Sequence, residues 1–120
     1  MSKIKSTLLF IVFYLLQIDK VYCAQKFLNG IEEIPLFKEM RNIEDSLILF
    51  DKINGRYVST EIRGRHERKE VLNFYNKILP NLGWKKINQL KFKRSNEILE
   101  IFPQKLDGEQ SFIFVIFPEK

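Results

Sequence analysis

The chain has 120 residues, 20 of them Lys or Arg against 15 Asp or Glu, with a formal net charge of +5 at pH 7. One cysteine and one histidine exclude a disulfide framework and a thiolate metal site, so the fold must rest on a hydrophobic core. No specific catalytic motif and no cofactor signature follow residue 24, which favours binding over chemistry.

Residues 1–23 read as a secretory signal peptide. Lys3 and Lys5 give a positive start, the apolar run over 7–16 is about half the length a spanning helix requires, and Val21-Tyr22-Cys23-Ala24 supplies the cleavage region. A cut after Cys23 puts Val21 and Cys23 where modest side chains are favoured; a cut after Ala24 would put Tyr22 there. A lipid-anchor box fits poorly because Tyr22 adjoins the cysteine, so the expected destination is soluble export, most simply the periplasm. Losing Lys3, Lys5, Lys20 and Asp19 leaves 17 basic and 14 acidic residues, a net charge of +3. Export removes nucleic acid as a partner and leaves an acidic partner or peripheral contact with an anionic membrane surface. The protein recovered from its own cells should be lighter than its translation product by about 2.7 kDa. Mass spectrometry finding an intact Met1 in the cytosol would overturn this reading.

A lead-in segment over 24–45 follows, with Phe27, Leu28, Ile31, Ile34, Leu36, Phe37, Met40 and Ile43 as its apolar residues and Pro35 opposing one continuous helix. The remainder, 46–120, reads as a single domain. Asn54-Gly55 between two strand-like runs predicts a two-residue hairpin turn. In the second run Val58, Thr60 and Ile62 alternate with Tyr57, Ser59, Glu61 and Arg63, the pattern of a half-buried strand. Val71, Tyr75, Ile78 and Leu82 recur at helical spacing, which predicts a helix over 67–79 that Pro80 ends. Further strands are expected over 84–87, 90–94, 97–104 and 111–118, with turns at Ser95-Asn96 and at Asp107-Gly108.

Phe74-Tyr75, the step Leu79-Pro80-Asn81-Leu82-Gly83-Trp84, the basic strand Lys91-Phe92-Lys93-Arg94 and the strand Ile98-Leu99-Glu100-Ile101 resemble small exported bacterial domains of unknown function. The resemblance covers about 34–118 and implies an address and an architecture, but no activity.

The same aromatic residues have packing explanations, with Tyr75 facing inward and Trp84 plugging the corner where helix meets sheet. His66 lies in the basic run Arg63-Gly64-Arg65-His66-Glu67-Arg68-Lys69 and reads as a solvated residue ahead of the helix, with no catalytic or metal-binding role. The basic residues near the hairpin and those at Lys85, Lys86, Lys91, Lys93 and Arg94 form an anion site only if the fold brings them together. The last strand, Ser111-Phe112-Ile113-Phe114-Val115-Ile116-Phe117, is apolar on both faces and so requires cover on both. One helix covers one face. The lead-in segment is the expected cover for the other, with a second copy or another envelope protein as the alternatives.

The expected fold is α+β, an antiparallel sheet of five or six strands with one principal helix packed on one face. The expected function is an exported, non-enzymatic binding or assembly module acting through contact with an envelope protein or by self-association. Its partner or ligand surface would include Phe112, Phe114, Ile116, Arg94, Tyr75 and Trp84. A module that holds a small anionic or lipid-like ligand near Trp84, Tyr75 and Arg94 is the alternative, and a small hydrolase is less favoured.

Overall fold

A computed structural model describes residues 26–120; the signal peptide expected over 1–23, with Cys23 and Ala24, lies outside them. Nine strands occur among the described residues: β1 (Phe27–Leu28), β2 (Ile31–Pro35), β3 (Arg41–Asn42), β4 (Ile48–Lys52), β5 (Gly55–Gly64), β6 (Lys85–Asn88), β7 (Lys91–Arg94), β8 (Glu97–Leu106) and β9 (Glu109–Pro118). The helix α1 (Arg68–Ile78) runs on into a 3-10 turn at Leu79–Leu82. A seven-stranded sheet has the order β3-β5-β9-β8-β7-β6, with β4 also on β5, and β1 and β2 form a separate two-stranded ribbon. Every pairing is antiparallel.

These features correct the expected fold class. The sheet has seven strands rather than five or six, and the 11-residue helix is a minor component of a mainly antiparallel β structure. The difference arises in the lead-in segment. β1 and β3 are two residues long, too short for a period-2 pattern, and Ile31 and Ile34 of β2 are spaced by three because the ribbon register shifts at Phe27 and Leu28. None of these segments carries the alternation by which a strand is recognised.

The core lies on one face of the sheet. Val58, Thr60 and Ile62 on β5, Phe112, Phe114 and Ile116 on β9, Leu99 and Ile101 on β8 and Phe92 on β7 are all buried there. The register makes them neighbours, with Val58 opposite Ile116, Thr60 opposite Phe114, Ile62 opposite Phe112, and Leu99 opposite both Ile116 and Phe92. Val71, Tyr75 and Leu79 cover this face, and Leu28, Ile31, Ile34 and Met40 complete the same cluster. The lead-in segment thus packs beside the helix on the inner face, and does not shield the outer one. One hydrogen-bonded side chain joins the two covers: the Tyr75 hydroxyl donates to the Pro35 carbonyl at 2.9 Å and accepts from the Phe37 N–H at 2.9 Å.

Residues between β3 and β4 bridge a gap on one edge of β5. The Ile43 N–H donates to the Glu61 carbonyl at 2.9 Å, the Glu61 N–H donates to the Ser46 hydroxyl at 2.9 Å, and that hydroxyl donates to the Ile43 carbonyl at 2.6 Å.

The β4–β5 hairpin forms one residue earlier than Asn54-Gly55 implies. Lys52 pairs with Gly55, so Ile53 and Asn54 occupy the turn. Gly55 has φ +147, and a Cβ there would sit 3.1 Å from the Pro118 ring. Replacing Gly55 with Val is therefore expected to destabilise the domain by about 1 kcal/mol or more, read as a lower urea midpoint at unchanged slope. An unchanged midpoint would count against this backbone geometry.

Candidate functional site

The step from Leu79 to Trp84 positions the residues that the sequence offers as a ligand opening. Gly83 adopts φ +92, its N–H donates to the Pro80 carbonyl, and the Trp84 N–H donates back to the Leu79 carbonyl, both at 3.1 Å. Such a closing turn satisfies the carbonyls left at a helix end and suits glycine. Trp84 follows directly and is fully buried, as is Tyr75. The Arg94 guanidinium lies 4.3 Å from the Trp84 ring centroid and donates to the Leu82 carbonyl at 3.2 Å. It also donates to Glu33 at 2.5 Å.

Arg56 binds Glu97 at 2.7 Å and lies 3.6 Å from Glu33. Two guanidinium groups and two carboxylates therefore tie β2 to β5, β7 and β8 as a neutral network. Both charges of Arg94 and Arg56 are matched, and Arg94 closes over Trp84 by cation–π stacking rather than opening toward an anion. The Tyr75 hydroxyl is committed to two backbone groups, and burial pushes its pKa above the ordinary tyrosine range. Tyr75, Trp84 and Arg94 act as structure.

Phe112, Phe114 and Ile116 likewise cannot form a partner surface, because all three are fully buried beneath the helix and ribbon. The correction has a simple cause. β9 is apolar on both sides, so its own sequence does not say which side the helix covers.

The outward set on β9 is Ile113, Val115 and Phe117, all half-buried. Register extends this set across the sheet. Val115 lies between Ser59 and Glu100, with Ile48 beyond Ser59; Ile113 lies between Glu61 and Phe102; Phe117 lies beside Ile98. Phe50 and Tyr57 stack at 4.8 Å between centroids on the same side. Ile48, Phe50 and Phe102 are exposed at 53%, 44% and 43%, so an aromatic and aliphatic strip crosses β4, β5, β9 and β8 with no covering element among the described residues. Sequence reasoning placed the partner surface on the opposite set of β9, Phe112, Phe114 and Ile116, and did not single out Phe50, Tyr57 or Phe102 for it. The signal was the unbroken run Ile48-Leu49-Phe50, apolar on both sides of a strand.

Charge is distributed unevenly around the strip. At one side Lys91 faces Glu100, and Lys93 stands between Ile98 and Lys85 on the same face. At the other, Arg63 donates to Glu61 at 2.5 Å and Ser111 to the same carboxylate at 2.6 Å. The Arg63 hydrogen bond, supported by Ser111, holds the Glu61 carboxyl below its ordinary pKa. β9 and β8 stand between β5 and β7. The two basic groups therefore do not converge into one anion site.

His66, expected to be a solvated residue ahead of the helix, has two carboxylate partners. Nε2 lies 2.7 Å from Glu39 and Nδ1 3.2 Å from Glu70, while the Phe37 ring meets the imidazole edge-on at 5.0 Å. These hydrogen bonds, Glu39 first, raise the His66 pKa above its ordinary value. No hydroxyl or thiol is among its partners, so the arrangement lacks a nucleophile. No group of three potential metal ligands occurs among the described residues. The raised pKa has a consequence for stability: the bound cation contributes below the unfolded-state pKa, and its contribution is lost as pH rises through the higher folded value. Melting temperature is accordingly expected to fall across that window in the native protein and to do so less in His66→Gln. Parallel profiles for the two proteins would refute the clasp.

No family model matches the chain, and comparison with curated proteins and with solved structures gives no match. The likeness to small exported domains therefore rests on the motif residues alone. No helix among the described residues is long and apolar enough to cross a membrane.

Proposed function

We propose that this protein is an exported, non-enzymatic binding or assembly module of the cell envelope that works by protein–protein contact through the outer face of its sheet. Export rests on residues 1–23. The contact rests on one observation, the apolar strip formed by Phe50, Tyr57, Phe102, Ile113, Val115 and Phe117. A solvated face of an antiparallel sheet ordinarily carries polar side chains, and contiguous exposed apolar area marks an interaction surface. The chemistry of the strip suits an apolar partner surface flanked by carboxylates that would meet Lys85 and Lys91, since Lys93 is already paired with Glu119 at 3.0 Å. Such flanking charge orients the encounter, while the apolar centre supplies the affinity.

A photoreactive phenylalanine analogue at position 102 tests this in the protein's own cells. The expected result is a discrete adduct with another envelope protein, abolished by Val115→Lys and weakened by Lys91→Glu, with the melting temperature of each variant preserved. An absent adduct, or one indifferent to both substitutions, would overturn the reading. The ligand-binding alternative finds no opening at Trp84, Tyr75 and Arg94; a separate cleft of about 520 Å³, lined by Leu36, Phe37, Phe74 and Ile78 with Lys26, Lys38 and Glu39, is the place left for a lipid-like ligand. Native mass spectrometry of protein from its own cells would detect a retained lipid-like molecule there.

A further inference from the structure

The open edges of the seven-stranded sheet are not equivalent. β6 ends one side with Lys85, Lys86 and Asn88, and its register with β7 is irregular between Lys86 and Asn88. Lysines and a bulge are devices that stop an edge from pairing with another chain. The part of β8 beyond β7 is also open along one edge, and it carries Pro103 and Lys105, which act in the same way. β4 has neither a proline nor a register shift, and its one lysine, Lys52, stands at its last position beside the turn. All five of its residues are exposed, Leu49 at 58%, and among the described residues no strand lies on its outer side.

We infer that β4 pairs antiparallel with β4 of a second copy of this chain, with Leu49 opposite Leu49 of that copy. Opposed residues in an antiparallel ladder share a face. A strand that is apolar at three successive positions therefore needs a partner that is apolar on both faces. β9 offers such a run but is paired along both edges. β4 offers it with an open edge, and is self-complementary: Ile48 of each copy faces Phe50 of the other, and the two Leu49 side chains meet on the opposite side of the ladder.

Charge favours the same arrangement. Asp51 and Lys52 lie outside the apolar triplet, and antiparallel pairing separates the two Lys52 residues by six strand positions, about 20 Å. Parallel pairing would instead align like charges. Because each copy contributes one unprotected edge, the two-fold contact closes as a dimer and does not propagate into a fibre.

Sedimentation velocity over a range of concentrations, combined with hydrogen exchange of the full chain, tests the inference. The expected result is a dimer whose β4 amides gain protection as concentration rises. Leu49→Lys should weaken dimerisation at least about tenfold by setting two like charges face to face, without lowering the melting temperature. Ile48→Lys should act in the same direction. A protein that is monomeric at every concentration would overturn the inference, as would a dimer insensitive to both substitutions. Protection of β4 in a monomer, independent of concentration, would show that another part of the same chain occupies the edge and would overturn it equally. The contact through Phe102 proposed above is read by a separate adduct, and survives or fails on its own.

Discussion

Phe114→Asp is expected to unfold the protein, whereas Val115→Asp, one residue on, is expected to leave it folded. Phe114 is fully buried between Thr60 and Ile101 in the sheet, and its ring lies 4.9 Å from that of Tyr75. A carboxylate there would have no hydrogen-bond partner and no counter-ion, and the lost aromatic packing adds to the penalty. The sum is several kcal/mol, comparable with the roughly 5–15 kcal/mol that holds a domain of this size together. Val115 points to the opposite face, where a charge can reach water. Far-ultraviolet circular dichroism and thermal melting of the two variants would show the contrast. Unfolding by both would mean that the outer face is as well covered as the inner one, and would remove the basis for an interaction surface.

Tyr75→Phe should lower stability by about 1–3 kcal/mol although it removes a single oxygen. The hydroxyl is the point at which the helix is tied to the chain between β2 and β3, and its loss leaves the Pro35 carbonyl and the Phe37 N–H without a partner. The rest of the ring still packs against Phe74 and Phe114, at 4.9 Å in each case, so the substitution isolates the hydrogen bonds from the hydrophobic contribution. Urea unfolding should show a lower midpoint at unchanged slope. An effect within a few tenths of a kcal/mol would mean that water replaces the hydroxyl and that the ribbon is held by packing alone.

Both predictions depend on facts that differ in how far the sequence discloses them. β5 was legible because Val58, Thr60 and Ile62 alternate with polar neighbours, and α1 because Val71, Tyr75 and Ile78 recur at helical spacing. Asp107 and Gly108 have φ +50 and +78 between the paired residues Leu106 and Glu109, as their turn chemistry leads one to expect. The ribbon was illegible because Ile31 and Ile34 are spaced like helix positions, and β3 because Arg41 and Asn42 carry no apolar signal. The inward side of β9 was undetermined for a different reason: a strand apolar on both faces fits the core either way, and only the placement of Tyr75 and the ribbon decides it. The stacking of Arg94 on Trp84 belongs to the same class. It joins residues ten positions apart through a strand turn, and nothing local to either residue announces it.

β9 lies between β5 and β8 and is the last of the nine strands among the described residues. During synthesis the ribosome therefore releases the strand that joins the two halves of the sheet only after every other strand has emerged. Until then the β4–β5 hairpin and the β6–β7–β8 meander share no backbone ladder, and the inner side chains of both are without their central neighbour. Native pairing of β5 with β9 must close a long intervening loop, which is the slow kind of step in folding. The two halves of the sheet can therefore share a backbone ladder only once β9 is available.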